Sequence, residues 1–245
     1  MRPTSQQMGK IVFLSFSSTN GYTQSRQRIA QEAKDSKWFD EIIICTEHDL
    51  PFEVKNKYLP VWYWQQGFGY YAWKGMIVEK IMKERLQDDD ILVYIDTGCQ
   101  INYQFGAKRF HEYIDMCRKG ENVSIELPYL EKWYTKRATL EKFDPAFAET
   151  NQTLSGIFFI RKTPNMMKMV EEWSQLSDKT ILIDNSLSAN GEDPTFRAHR
   201  HDQSLLSLLR KKYGSVVVPQ DETWDERWDT EYIMSKPFHA KRLRM

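Results

Sequence analysis

The sequence predicts one α/β domain, in which a mostly parallel sheet is flanked by helices. Three observations predict it. Short apolar runs rich in β-branched residues alternate with longer amphipathic stretches along the chain. The 245 residues suffice for one large domain. A hydrophobic share of 41% with 28% charged residues describes a real core under a solvated surface.

In chain order, strands are expected at residues 10–16, 41–46, 91–95, 123–126, 156–161 and 215–219. Helices are expected between them. Met76, Ile77, Ile81 and Met82 recur at helical spacing, as do Phe110, Tyr113, Ile114 and Cys117. Leu205, Leu206, Leu208 and Leu209 form a third stripe, each stripe facing the sheet. Two polar segments, 144–155 and 184–201, interrupt the rhythm and read as binding loops, lids or plain surface insertions. Near the end, DETWDERWDTE carries six acids and one arginine, and KPFHAKRLRM then carries four basic residues and no acid. That block reads as a solvated tail or an anion clamp.

Charge and composition exclude several classes. Thirty-four basic and thirty-four acidic residues leave a formal charge of zero, which argues against a nucleic-acid binder with its usual basic excess. No apolar run approaches the ~20 residues that span a bilayer. The opening MRPTSQQMGKIVFLSF is a poor signal peptide, and its short apolar stretch reads better as the first strand. Cys45, Cys99 and Cys117 form neither a disulfide framework nor a zinc motif. They suit a reducing compartment, so the expected location is cytoplasmic. Eight Trp, twelve Tyr and thirteen Phe supply rings that serve either as core or as platforms for sugars and nucleobases.

Three stretches place chemistry. In ILVYIDTGCQIN an apolar strand ends at Asp96, followed by Thr97 and Gly98. Ligands of open α/β sheets gather at the carboxyl ends of the strands. A carboxylate there accepts ribose hydroxyls or holds a divalent metal on a diphosphate, and Gly98 lets a ligand approach the backbone. An aspartate after a strand is also an ordinary turn or cap residue. In HRHDQSLLSLLRKKYG, Asp202 and Gln203 open a helix. Asp202 suits that N-terminus, yet the run from His199 is more polar than capping requires. His199 and His201 alone are a weak metal pair. In WYWQQGFGYYAWKGMIVEK, aromatics crowd around Gly67 and Gly69 and Lys74 enters the next helix. They pack the helix entry or form a wall from which Lys74 reaches a phosphate. Dinucleotide, P-loop, nucleophile-elbow and H-E-x-x-H signatures do not occur.

Together GYYAWK, YIDTGCQIN, LSGIFFIRK and HRHDQSLLSLLRKKYG, in this order, resemble the GT-A nucleotide-sugar glycosyltransferases. The likeness is to the short transferases of bacterial surface-polysaccharide loci and large DNA viruses, and it spans Ile11 to the basic tail. It implies a single GT-A-like domain over residues 1–245 with a Rossmann-like sheet. A nucleotide part would cover about 10–100, an acceptor part about 101–235 and a tail 236–245. The resemblance implies a nucleotide-diphosphate sugar donor, UDP-linked, and a glycan or other hydroxyl acceptor. It also implies Mn²⁺ or Mg²⁺ on the diphosphate. Asp96 matches the first acid of the family's D-x-D motif, while Gly98 stands where the second would be. Asp202 and Gln203 resemble the D-Q pair near the reacting sugar, and Ser155 and Gly156 the N-x-G segment without its Asn. His239 corresponds to a metal ligand beside Asp96, and Lys241 and Arg242 to contacts of the diphosphate, to which Lys74 would add its charge. Two other readings stand beside this one: a carbohydrate- or nucleotide-binding scaffold without turnover, and a sugar-1-phosphate nucleotidyltransferase. The latter usually opens with a Gly-rich basic loop after its first strand, where this chain has SFSSTNGYTQSR.

Overall fold

The computed structural model describes residues 8–20 and 22–243. Its strands are β1 Ile11–Phe16, β2 Glu41–Cys45, β3 Ile91–Ile95, β4 Gln100–Ile101, β5 Asn122–Leu130, β6 Asn151–Thr153, β7 Ile157–Arg161, β8 Val216–Val218 and β9 Phe238–His239. Six helices of ten or more residues pack around them: α1 Thr23–Ser36, α2 Phe52–Trp62, α3 Trp73–Glu84, α4 Ala107–Gly120, α5 Pro164–Ser177 and α6 His201–Tyr213. All six expected strands form. The three missed ones, β4, β6 and β9, are two or three residues long and carry no apolar run of their own.

The main sheet runs β2-β1-β3-β7-β5-β6, with β8 also on β5. The pairings β1–β2, β1–β3 and β5–β8 are parallel, whereas β7 is antiparallel to both β3 and β5, and β6 to β5. Five of the seven strands therefore point one way, and β6 and β7 run against them. These two reversed strands follow each other along one edge of β5. Val123 pairs with Phe159, yet Glu126 pairs with Thr153. Three residues advance on β5 against six on its partner, so Leu154, Ser155 and Gly156 bulge out of the ladder.

Alternation along the buried strands divides the core in two. Leu92, Tyr94, Phe158 and Ile160 face a cluster with Met76, Ile77, Trp173 and Leu205 from α3, α5 and α6. Ile91, Val93, Ile95 and Phe159 face another with Ile29, Phe110, Tyr113 and Ile114 from α1 and α4. Helix ends follow local chemistry. The Thr163 hydroxyl accepts from Met166 N–H at 3.2 Å and Pro164 follows, a natural start for α5.

One turn has the opposite hand. Gly67, Phe68, Gly69, Tyr70 and Tyr71 all have positive φ, between 53° and 76°. The Tyr70 and Tyr71 N–H groups donate to Gln66 and Gly67 carbonyls at 2.8 and 3.2 Å. This is a left-handed helical turn, which costs about 1–2 kcal/mol for each residue that has a side chain. It delivers the chain into α3.

Neither polar segment is loose. Segment 144–155 folds as a 3₁₀ turn, Pro145–Glu149, and then β6. Segment 184–201 lacks strand or long helix but is pinned throughout. Buried Lys136 donates to Asp184 Oδ1 at 2.6 Å and to the Ser186 carbonyl at 3.2 Å. Glu192 accepts from the Ser188 and Arg137 N–H groups, both at 2.7 Å. The basic tail is likewise held as far as it is described. β9 pairs with β4, Ala240 N–H donates to Thr223 O at 2.7 Å, and Leu243 N–H donates to Gly98 O at 2.8 Å. Arg244 lies outside the described residues. Among the described residues no helix is long and apolar enough to cross a membrane.

Candidate active site

The carboxyl end of β3, the bulge between β6 and β7, and the first turns of α3 and α6 meet at one side-chain cluster. Lys74 lies at its centre. Its ammonium is 2.8 Å from Asp202 Oδ2 and 3.2 Å from Asp96 Oδ1, and donates to the Ser155 carbonyl at 3.3 Å. Burial pulls the Lys74 pKa down, but Asp202 and Asp96 outweigh it and hold the group charged, above its ordinary value. The two acids differ. Asp202 has 6% of its side chain exposed, and it also accepts from Ser155 Oγ at 2.8 Å. Asp96 keeps 41% of its side chain exposed. Burial and the charge of Asp202 push its carboxyl up, against the pull of Lys74 and of the Tyr94 hydroxyl, which donates at 2.8 Å.

The bulge is bound to this cluster peptide by peptide. Asp96 N–H donates to Gly156 O at 2.8 Å. A Cβ on Gly156 would come 2.9 Å from Asp96 Oδ2, so only glycine leaves that oxygen free. Gln203 Oε1 accepts from Ser155 N–H at 3.5 Å, while its Nε2 donates to Gln152 Oε1 at 2.7 Å. Gln152 donates in turn to Glu131 and Thr135, both at 3.2 Å. Fully buried Glu131 also meets Lys211 and Ser207. Arg210 caps the far side, donating to Leu154 O at 2.7 Å; its Nε and Nη2 are buried without a protein partner.

Asp202 does not cap its helix. It stands in the first turn after Arg200, which makes no side-chain cap bond, and its Oδ2 is turned to Lys74 and Ser155. His201, with φ of 51°, precedes Asp202, whose carboxylate meets Lys74 and Ser155. His199 and His201 serve the neighbouring backbone. His199 Nε2 lies 3.0 Å from Leu182 O and His201 Nδ1 lies 2.7 Å from Ile183 O. Both rings are buried, and burial drives the His199 pKa down to about 3.

The expected site residues thus fall into two groups. Lys74, Asp96, Asp202 and Gln203 come together, with Lys74 committed to carboxylates rather than extended towards solvent. Gly98, Lys241, Arg242 and His239 lie along the tail. A Cβ on Gly98 would come 3.5 Å from Arg242 Cα. Arg242 is exposed, and Lys241 Nζ lies 5.1 Å from the Trp228 ring centre. His239 is buried, with Nε2 2.8 Å from Ile233 O and its ring beside Trp228. Among the described residues no three His, Cys, Asp or Glu side chains group so as to hold a metal ion. A lysine ammonium already occupies the space between the two carboxylates.

Sequence reasoning missed Tyr94, Gln152, Glu131 and Arg210. Tyr94 carries a usable signal, since it stands two residues before Asp96 and strand periodicity places both on one face. The others are brought in by long-range packing alone. An open groove of about 920 Å³ between α2 and α3 is separate, and none of the cluster residues lines it.

The fold is that of the GT-A glycosyltransferases. The chain matches the crystal structure of a glycosyltransferase involved in the glycosylation of the major capsid of PBCV-1, over 96% of both chains, with a TM-score of 0.52 and 12% identity. Looser likenesses reach the galactosyltransferase LgtC in complex with donor and acceptor sugar analogs (TM-score 0.45, 11% identity, 93% of this chain and 86% of that one). Another is to 4-diphosphocytidyl-2C-methyl-D-erythritol synthase from Anaerococcus prevotii (TM-score 0.38, 10% identity, 86% of each chain). No family model and no curated protein matches.

Proposed function

We propose that this protein is a glycosyltransferase that moves a sugar from a nucleotide-diphosphate sugar, UDP-linked, to a hydroxyl of a glycan. One observation carries the reading: the Asp96–Lys74–Asp202 cluster, with Asp96 half-exposed at the carboxyl end of β3. A half-open carboxylate beside a locked one suits a donor with hydroxyls to be held and a reacting carbon to be placed. In the transfer, the anomeric carbon–oxygen bond to the diphosphate breaks and its electron pair stays on the phosphate oxygen. The acceptor oxygen bonds the same carbon. Asp202, whose Oδ2 is already taken by an ammonium and a hydroxyl, orients the donor sugar, and the departing phosphate takes the acceptor proton. Asp96 accepts donor hydroxyls. Gln203, held by Gln152, presents its amide edge to the bulge and sets the position of Ser155.

The test is a hydrolysis and transfer screen with nucleotide sugars, followed by two variants. Asp96→Asn should weaken donor binding about tenfold, roughly the worth of one charge-assisted hydrogen bond. Asp202→Asn should depress turnover while nucleotide affinity stays near wild type. Binding of a donor without turnover, with every acceptor offered, would leave a binding protein in place of an enzyme.

A further inference from the structure

This inference rests on the donor assignment above and concerns what neutralises the diphosphate. The cluster itself is anionic. Asp96 and Asp202 against Lys74 leave one net negative charge where a diphosphate adds more. A second acid at position 98 with a metal would supply the counter-charge, but the chain has built something else there. Gly98 carries no donor atom, and the tail lies directly on it. Leu243 N–H bonds the Gly98 carbonyl at 2.8 Å, and the Arg242 Cα stands 3.5 Å from where a Cβ would be. Arg242 adopts a φ of 53° there, a conformation uncommon for a residue with a side chain. It is exposed, and among the described residues it makes no ion pair. His239 Nε2 lies 2.8 Å from Ile233 O, and its Nδ1 is buried without a protein partner.

We propose that the chain binds a nucleoside diphosphate without a divalent cation, and that the Arg242 guanidinium takes the place beside Gly98 that a metal on a second carboxylate would take. A guanidinium suits this exchange because its planar fork grips two phosphate oxygens and its charge does not titrate.

Calorimetric titration with UDP, GDP, CDP and dTDP, in EDTA and in Mn²⁺, tests it. The expected result is one bound diphosphate whose affinity agrees within about twofold in the two buffers. Arg242→Ala should weaken that diphosphate at least about tenfold, leave the nucleoside unchanged and keep the wild-type melt. Arg242→Lys should recover part of the loss. Gly98→Asp should lower affinity in EDTA, and Mn²⁺ should restore it, because the added carboxylate neutralises Arg242 and creates a metal ligand. A wild-type affinity that rises tenfold or more with Mn²⁺, or an Arg242→Ala variant that binds like wild type, overturns the inference alone. If no diphosphate binds in either buffer, the donor assignment falls and takes this inference with it.

Discussion

Replacing Lys74 by Met is expected to be among the most damaging single changes in the chain, and the structure sets its size. The ammonium touches two carboxylates of unequal exposure. Asp96, 41% exposed, keeps solvent when the lysine is lost. Asp202, 6% exposed, does not. Its charge would remain buried with only the Ser155 hydroxyl facing the same oxygen. Breaking one side of a buried pair costs about 3–5 kcal/mol. For a chain of this length that is a fall of roughly 6–20 °C in melting temperature. Thermal and urea unfolding followed by circular dichroism measure it. The decisive variant is Lys74→Met with Asp202→Asn, which removes the stranded charge. It should regain about 2 kcal/mol over Lys74→Met, whereas adding Asp96→Asn instead should regain little. If Lys74→Met and Asp202→Asn add within about 0.5 kcal/mol, the two groups are not coupled and the reasoning fails.

Two further outcomes are expected. His199 has its pKa lowered from 6.5 to about 3 by burial, so its contribution is fully present above pH 6.5 and is lost as pH falls towards 3. Stability should drop by about 2 kcal/mol between pH 6.5 and pH 5. His199→Gln should flatten that limb, and equal acid slopes for the two proteins would contradict it. In the left-handed turn, a Cβ on Gly69 would sit 2.4 Å from the buried Trp62 ring at a φ of 76°. Gly69→Ala should therefore cost about 2–4 kcal/mol, and an unchanged urea midpoint would show that the turn relaxes freely.

The sheet could be read from the sequence where a strand is long and buried. ILVYI in β3 and IFFIR in β7 announce themselves by apolar continuity. β4, β6 and β9 exist because a neighbour offers an edge, which no local window records. The same distinction runs through the site. Asp96 and Asp202 stand out because each follows or opens an element, and helical spacing put the α3, α4 and α6 stripes in the core. That Lys74 would be buried between the two acids was not legible, since a lysine entering a helix usually stays solvated. Segment 184–201 was legible as polar, and polarity suggested a binding loop, a lid or a plain surface insertion. Its anchors, Lys136, Glu192 and the two histidines, act across the fold and turn polarity into rigidity.

The interruption between β6 and β7 also bears on how lesions in this protein would look to a geneticist. Leu154 keeps its N–H on Ile125 O of β5, and the other peptide groups of Leu154, Ser155 and Gly156 are held by Arg210, Lys74, Gln203 and the Asp96 amide. Lys74 and Gln203 belong to the same cluster as Asp96 and Asp202. A screen for lost activity would therefore recover many of the alleles recovered by a screen for low abundance. Intragenic suppressors should arise chiefly as charge-matched pairs within this cluster, because a change elsewhere in the core cannot supply the missing partner of a looped-out peptide.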